Sequence, residues 1–153
     1  MSRNTPKVAL VPSAFFDPAS AREALSRTVK LDKDDKVEYI SLPDYSAELV
    51  YSLSSDLPEL YYLLKKLPEI KEYNKIAASY GDGVLSLAIA QGENLLLANT
   101  FQAADFTTAE YFLFMAVRKL QLNPEVSTIH FISPLSGEEE MSLYRYFKTV
   151  ETV

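Results

Sequence analysis

The side chains in this sequence that could do acid–base or metal chemistry are nearly all carboxylates. There is no cysteine and a single histidine, His130, so disulfides, thiolate nucleophiles, cysteine zinc sites and most histidine-dependent triads are excluded. His130 alternates with apolar neighbours on a short predicted strand, and it has no obvious catalytic partner in sequence. We interpret it as a structural histidine. The sequence therefore predicts no catalytic residue and no metal site.

Two groups of carboxylates could imitate a catalytic or metal-binding site. Three glutamates at positions 138–140 stand in the first turn of a predicted helix, where negative charge meets the positive end of the helix dipole. Asp105 and Glu110 could form an acid pair, but Glu110 follows Thr107 at the spacing of a capping box. We interpret both groups as helix-capping residues, with metal binding by the triplet and catalysis by the pair as the alternatives.

Glycines mark the positions where a phosphate-bearing cofactor could bind. Backbone amides of glycine-rich turns cradle phosphate oxygens, and the sequence has one short stretch with two glycines, Gly81-Asp82-Gly83. Asp-Gly is also a leading signal for a two-residue hairpin turn, and a carboxylate within the turn would repel phosphate. We interpret Gly81-Asp82-Gly83 as a β-turn, and we expect no cofactor.

Composition and charge limit the partners of the chain. Its 153 residues are 48% hydrophobic and 24% charged, which is typical of a globular protein. A net charge of -6 with scattered basic residues argues against binding to nucleic acid or to anionic membranes. No window approaches the roughly 18 apolar residues of a membrane span. We therefore expect a cytoplasmic protein.

The elements that would position these residues fall into two parts, which we predict as residues 1–72 and 73–153. In the first part, an apolar strand over residues 8–16 precedes a helix that Asp17 and Pro18 begin. Two short strands follow, over residues 37–42 and 49–53, and their pairing is left open. A helix then carries an apolar stripe from Leu57 to Leu67, and Asp56 and Glu59 resemble a capping box at its start.

The second part reads as three close-set strands, a helix, a strand and a helix. The strands over residues 76–80, 84–91 and 95–101 are joined by turn residues and form an antiparallel meander. In the middle strand, large apolar residues alternate with Ser86, Ala88 and Ala90, which predicts one face for a core and one small-residue face for a closely packed layer. Residues 128–132 form a fourth strand, joined by a right-handed crossover.

The last predicted helix begins at a capping box formed by Ser136 and Glu139. Its apolar residues recur at helical spacing, which predicts a helix that continues to Val150. These residues are Leu143, Tyr144, Phe147 and Val150.

This order of elements resembles one lobe of the ribonuclease-H-like and actin-like ATPase fold, an α/β fold with a mixed sheet. The stretch VPSAFFDPASAREAL at residues 11–25 looks like the strand-to-helix passage of Hsp70-type members. Asn99-Thr100-Phe101, the aromatic helix after it and the turn at residues 122–125 resemble the bacterial domain-of-unknown-function family 3822, which has no established activity. Members usually carry a longer N-terminal portion. The resemblance thus implies a C-terminal lobe with the order βββαβα and only part of the N-terminal lobe.

The resemblance also shows where an active relative would hold nucleotide, and this sequence departs from both visible motifs. Where active members carry Asp-Leu-Gly-Gly-Gly-Thr, residues 79–84 read Ser-Tyr-Gly-Asp-Gly-Val, and the later Gly-Gly turn is replaced by residues 133–137, Ser-Pro-Leu-Ser-Gly. The resemblance thus implies Gly81, Asp82, Gly83 and Gly137 as the candidate cofactor-binding residues. Because both motifs are altered, we expect a non-catalytic domain for protein binding or assembly. The alternative is an ATPase or kinase-like enzyme whose phosphate loop lies in a missing N-terminal lobe. A nuclease would need more acids than Asp82 and Asp105.

Aromatic residues point to the class of partner. Ten tyrosines and eight phenylalanines exceed what the inward faces of the helices need. Phe114 shares a helical face with Glu110, Arg118 and Gln121, and pairs of tyrosines occur at positions 61–62 and 144–146. Because aromatic residues are enriched at protein interfaces, we expect a protein partner, either a second copy of the chain or the missing N-terminal lobe. Nucleic acid and membrane are not expected.

Overall fold

In the computed structural model, which describes residues 3–53 and 56–152, the first third of the chain forms an antiparallel sheet. Its strands are β1 (Val8–Pro12), β2 (Glu38–Leu42) and β3 (Ala47–Tyr51), in the order β1-β3-β2. The pairing that sequence left open is thus β2 with β3, joined by a 3-10 turn over Pro43–Tyr45 and by Ser46 in the left-handed conformation (φ 51°).

Two predictions about this part of the chain need correction. The strand predicted over residues 8–16 ends at Pro12, and a 3-10 turn over Ser13–Phe15 follows. Proline has no N–H with which to continue a ladder, so it suits the last position of an outer strand. Helix α1 (Ala21–Ser26) is shorter than the apolar spacing suggested, although Asp17 accepts from the Ala19 amide as predicted.

A five-stranded mixed sheet makes up the second part of the structure. It is built from β4 (Asn74–Gly81), β5 (Val84–Gln91), β6 (Asn94–Gln102), β7 (Thr128–Phe131) and β8 (Thr149–Thr152), in the order β6-β5-β4-β7-β8. The first three strands are the predicted antiparallel meander. Strand β7 lies parallel to β4, as the predicted crossover requires, and β8 lies parallel to β7.

The fifth strand of this sheet was not predicted. Helix α4 (Gly137–Tyr144) ends six residues earlier than expected, so Val150 lies in β8 and pairs with Ile129 instead of continuing the helix. The β-branched residues Thr149, Val150 and Thr152 favour a strand. The helical spacing between Leu143 and Val150 therefore predicted the wrong element for Val150.

The two faces of the second sheet bury residues of different size, which confirms the prediction from β5. Leu85, Leu87 and Ile89 share a core with Leu113 of helix α3 (Phe106–Lys119) and Leu143 of helix α4. The opposite face presents small side chains, since Ala77, Ala88 and Ala90 belong to the core beneath helix α2 (Glu59–Lys66). Small residues let the helix approach the sheet closely.

Helix α2 is the element that joins the two sheets. Its buried leucines, Leu60, Leu63 and Leu64, lie in one core with Leu49 and Tyr51 of the first sheet and with the alanine face of the second. The layers thus run from α1 through the first sheet and α2 to the second sheet, and end with α3 and α4. The division at residue 72 stays a prediction.

None of the helices within the described ranges combines the length and apolar character needed to cross a bilayer.

Candidate functional site

The candidate cofactor residues lie at the end of the second sheet where the parallel strands β4 and β7 terminate. In open α/β sheets this is the usual position of a ligand site. We call this region the carboxyl edge, formed by the turn at residues 81–83, the loop at 103–105 and the loop at 132–137. Backbone bonds hold it together, since the Ile132 amide donates to Ala78 O and the Ala103 amide donates to Gly83 O at 3.0 and 2.8 Å.

The turn at residues 81–83 has hairpin geometry. Asp82 (φ 50°) and Gly83 (φ 71°) are both left-handed, as a two-residue type I′ turn between β4 and β5 requires. A Cβ built on Gly81 would lie 2.7 Å from Asn4 Nδ2, so the N-terminal segment packs directly against this glycine. The turn is therefore already filled by the chain, and its assignment as a cofactor site stays a prediction.

A buried ion pair lies behind this turn. Ser79 is fully buried, and its hydroxyl donates to Glu59 Oε1 at 3.0 Å. Arg3 Nε donates to Glu59 Oε2 at 2.8 Å, and the guanidinium lies 4.1 Å from the centre of the Tyr62 ring. The Glu59 amide also donates to Arg3 O at 2.7 Å. These contacts tie the N-terminal segment to β4 and α2.

The expected capping role of Glu59 was wrong. Helix α2 has no side-chain cap, and the Asp56 carboxylate accepts instead from the Leu57 amide and the Tyr62 hydroxyl. Glu59 is only 4% exposed and points toward Ser79. A signal for this burial was present in the sequence, because Glu59 lies four residues before the core residue Leu63.

The helix ends at the carboxyl edge are capped by the chain's own side chains. Asp105 Oδ1 accepts from the Thr108 amide at 2.8 Å, and this contact lowers the pKa of Asp105. Ser136 and Glu139 form the predicted capping box on α4. Free amides at helix starts are what binds phosphate at such sites. Here the Thr108 and Glu139 amides already have intramolecular side-chain acceptors.

The cap predicted for α3 needs correction in one respect. Asp105 caps this helix in place of the Thr107–Glu110 box. Both carboxylate oxygens of Glu110 accept from the Ser142 hydroxyl of α4 at 2.9 Å. Aspartate is a better helix cap than threonine, and Glu110 is drawn to the neighbouring helix. Asp105 therefore caps α3, whereas Glu110 connects α3 to α4, and the two carboxylates do not act as a pair.

The carboxyl edge has a negative electrostatic character. Burial raises the pKa of Tyr80, and the charges of Asp105 and Glu139 raise it further. Asp82 lies in the hairpin turn beside them. Among the described residues that the contacts above place here, Arg3 is the basic one, and it is paired with Glu59. A polyphosphate would meet carboxylates at this edge.

His130 lies away from the carboxyl-edge loops, between two carboxylates. Its Nε2 is 3.7 Å from Glu72 Oε1 and its Nδ1 is 3.4 Å from Glu151 Oε2. The carboxylates face opposite ring nitrogens and so cannot share one metal ion with the imidazole. Within the described ranges, no group of three or more histidine or acidic residues has an arrangement suited to a metal ion. This geometry supports a structural role for His130.

Several of the aromatic residues singled out in the sequence meet in one groove on the far side of α3. We call it the Tyr146 groove; it has a volume of about 580 Å³, and its lining consists of Phe114, Val117, Arg118, Gln121, Leu122, Asn123, Pro124 and Tyr146. The rings of Phe114 and Tyr146 lie 4.3 Å apart between centroids. The fold therefore brings together residues that sequence placed on two separate helices.

The wall of this groove depends on a backbone feature that sequence did not reveal. Gln121 is left-handed (φ 60°) and turns the chain at the end of α3, so that Leu122 is buried beneath the helix. The Asn123 carboxamide oxygen then accepts from the Glu125 amide, and Pro124 O accepts from the Lys148 amide at 3.1 Å. The groove is thus fixed by hydrogen bonds on both sides.

Comparison with known proteins identifies the family of the chain. The family model described as "Protein of unknown function (DUF3822)" matches residues 57–150, which is more than half of the chain. The chain belongs to this family. The matched range of the DUF3822 protein runs from the start of α2 into β8, and it includes Ser79, the 81–83 turn and the Tyr146 groove but not Arg3.

A solved structure shows the fold of this DUF3822 member. A protein from Bacteroides thetaiotaomicron VPI-5482, described as having an actin-like ATPase fold and unknown function, matches 98% of this chain with a TM-score of 0.79 at 16% identity. The chain spans 66% of the length of that protein. The actin-like fold expected from the sequence is therefore confirmed. No functionally curated protein matches the chain.

Proposed function

We propose that this DUF3822 chain is a non-catalytic actin-like domain that binds other proteins. The observation that carries the proposal is the carboxyl edge, where the chain's own side chains engage the residues around the 81–83 turn. Ser79 is bonded to Glu59, Arg3 is paired with Glu59, and Asn4 packs on Gly81. No step of nucleotide chemistry is supported by these contacts.

Electrostatics supports the same conclusion. Phosphoryl transfer depends on cations or metal ions that neutralise the charge developing on the phosphate. At the carboxyl edge the carboxylates of Asp82, Asp105 and Glu139 supply negative charge, and side chains of the chain itself cap α3 and α4. A phosphate that bound here would meet these carboxylates, and Arg3, the cation nearby, is already paired with Glu59.

Exposed apolar side chains support the protein-binding half of the proposal. Met141, Val126 and Tyr111 are 68%, 66% and 61% exposed, and Tyr144 and Tyr146 are about half exposed. These five residues belong to α3, α4 and the segments that follow them, whereas Phe15 and Tyr73, at 84% and 67%, are exposed elsewhere. Tyr146 lies beside a second aromatic ring, that of Phe114, and clustered apolar side chains mark interaction sites. A second copy of the chain and the rest of a longer actin-like protein are partners that such a surface could meet.

A cytoplasmic location belongs to this proposal. The sequence has no cysteine, so its stability does not depend on disulfides or on an oxidising compartment.

Urea unfolding with and without magnesium ATP tests the non-catalytic half of the proposal. A ligand at one hundred times its dissociation constant raises the free energy of unfolding by about 2.7 kcal/mol. We expect the unfolding midpoint in millimolar magnesium ATP to equal that in magnesium alone. A rise that saturates with ATP concentration would overturn the proposal and favour a nucleotide-dependent enzyme.

A further inference from the structure

The Tyr146 groove combines an apolar floor with unpaired positive charge. Phe114, Val117 and Leu122 provide the floor, and Tyr146 stands at its side with about half of its surface exposed. Arg118 lines the same groove. Throughout the described ranges, its guanidinium has no ion-pair partner.

Two more basic residues lie close to the groove lining in the chain. Arg145 precedes Tyr146 in sequence and acts electrostatically on Glu110, and the Lys148 main-chain amide is bonded to Pro124 O in the lining. Neither side chain forms an ion pair within the part of the chain that the structure describes. Glu125 is an acidic residue close by, next to Pro124, and Glu110 is already engaged with Ser142. Arg118 is thus the charged residue of the groove lining, in a chain whose net charge is -6.

We propose that the Tyr146 groove binds a short acidic segment of a partner protein, with an apolar side chain on the groove floor and a carboxylate on Arg118. This inference rests on the proposed protein-binding function and names the class of partner. An arginine fork pairs with carboxylate in a bidentate manner. Aromatic rings beside an arginine are the composition typical of residues that dominate binding energy.

The charge pattern distinguishes this occupant from a second copy of the chain. A symmetric contact with the groove on its two-fold axis would bring the two Arg118 side chains together, since both subunits use the same surface. Like charges facing each other oppose association. An acidic segment instead neutralises Arg118.

Selection from a displayed library of random peptides tests the proposal and does not require the partner to be identified first. We expect the peptides selected by the wild-type protein to be enriched in Asp or Glu beside Leu, Phe or Trp. Their affinity, measured by fluorescence anisotropy, should fall about tenfold or more with Arg118→Glu, because a charge-assisted bidentate contact becomes a repulsion. Tyr146→Ala should also weaken binding.

Arg27→Glu provides the matched control. Arg27 is an exposed arginine on the distant helix end of α1, so the same charge change there should leave affinity unaltered. Circular dichroism checks that each variant is folded, and Arg118→Gln, which removes the charge without reversing it, should give an intermediate loss of affinity.

The outcomes separate this inference from the proposed function. Peptides that bind equally well to wild type and Arg118→Glu would overturn the groove assignment and leave protein binding in place elsewhere. Selection of peptides without acidic enrichment would also overturn it. A dimer in sedimentation equilibrium that Tyr146→Ala dissolves would assign the groove to a second copy instead. If the proposed non-catalytic function is itself wrong, magnesium ATP should raise the free energy of unfolding of the protein.

Discussion

Replacing Arg3 by alanine would leave the Glu59 carboxylate buried without its cationic partner. The Glu59 side chain is 5% exposed and that of Arg3 is 37% exposed. Removing one partner of a fully buried pair costs about 3–5 kcal/mol. Because water reaches more than a third of the Arg3 side chain and screens the pair, we expect a smaller loss of about 2 kcal/mol.

A double-mutant cycle isolates the pair from the other effects of each substitution. Glu59→Gln keeps an acceptor for the Ser79 hydroxyl but removes the charge that Arg3 pairs with. We expect an interaction energy between Arg3→Ala and Glu59→Gln of about 1–2 kcal/mol. With a urea m value of about 2 kcal/mol/M, the Arg3→Ala change lowers the unfolding midpoint by about 1 M.

The pair formed by Arg27 and Glu23 is the control for this cycle. Its side chains are 72% and 68% exposed, and Arg27 Nη2 lies 3.4 Å from Glu23 Oε1 one helical turn away. Exposed pairs at this spacing are worth about 0.3–0.5 kcal/mol. If the Arg3–Glu59 cycle gave no more than this control, the carboxyl edge would not contain a stabilising buried ion pair, and our reasoning about it would be refuted.

Three further substitutions test the fold and its pH dependence. Gly83→Ala places a Cβ on a left-handed residue (φ 71°) and should cost about 1–2 kcal/mol in urea unfolding; an unchanged midpoint would contradict the turn geometry. Ala88→Leu should lower the free energy of unfolding by about 1–3 kcal/mol, because α2 packs on the small-residue face of β5 that contains Ala88. A more stable variant would instead show a gap between β5 and α2. Burial raises the pKa of Glu110, although the Ser142 hydrogen bond and the charge of Arg145 act in the opposite direction. The protonated Glu110 side chain therefore contributes fully to stability below the pKa of the unfolded state. That contribution is lost as pH rises through the pKa of the folded state. Glu110→Gln should therefore gain stability relative to wild type as pH rises from about 4.3, and a constant difference across the titration would contradict this.

Local sequence patterns were sufficient to predict much of the second sheet. The meander followed from period-two alternation and from the Asp82-Gly83 turn, and the capping box of α4 from the spacing of Ser136 and Glu139. Each of these depends on residues within a few positions of one another. The fold resemblance followed because the order of elements from β4 to α4 was correct.

The features that sequence reasoning missed depend on distant residues. Strand β8 exists because Val150 finds a partner in Ile129 of β7, whereas the spacing of Leu143, Phe147 and Val150 imitates a helix. Glu59 is buried because Arg3, 56 positions earlier, supplies its counter-charge. Neither partner is visible in a local pattern.

The candidate functional surface was predicted only in part. The helical face shared by Phe114, Arg118 and Gln121 was identified from spacing alone. Its closure into a groove required the left-handed turn at Gln121, a conformation that a non-glycine residue does not signal, and the return of the chain that brings Tyr146 beside Phe114. The sequence indicated the shared helical face but not the groove.

The central claim, that the carboxyl edge binds no nucleotide, is tested most directly by nuclear magnetic resonance of the glycine amides. The chain has four glycines, of which Gly81, Gly83 and Gly137 lie at the carboxyl edge and Gly92 lies in the hairpin at the other end of β5 as an internal reference. Titration with magnesium ATP should leave all four amide signals in place. A saturable shift of Gly81, Gly83 and Gly137 while Gly92 stays fixed would contradict the account.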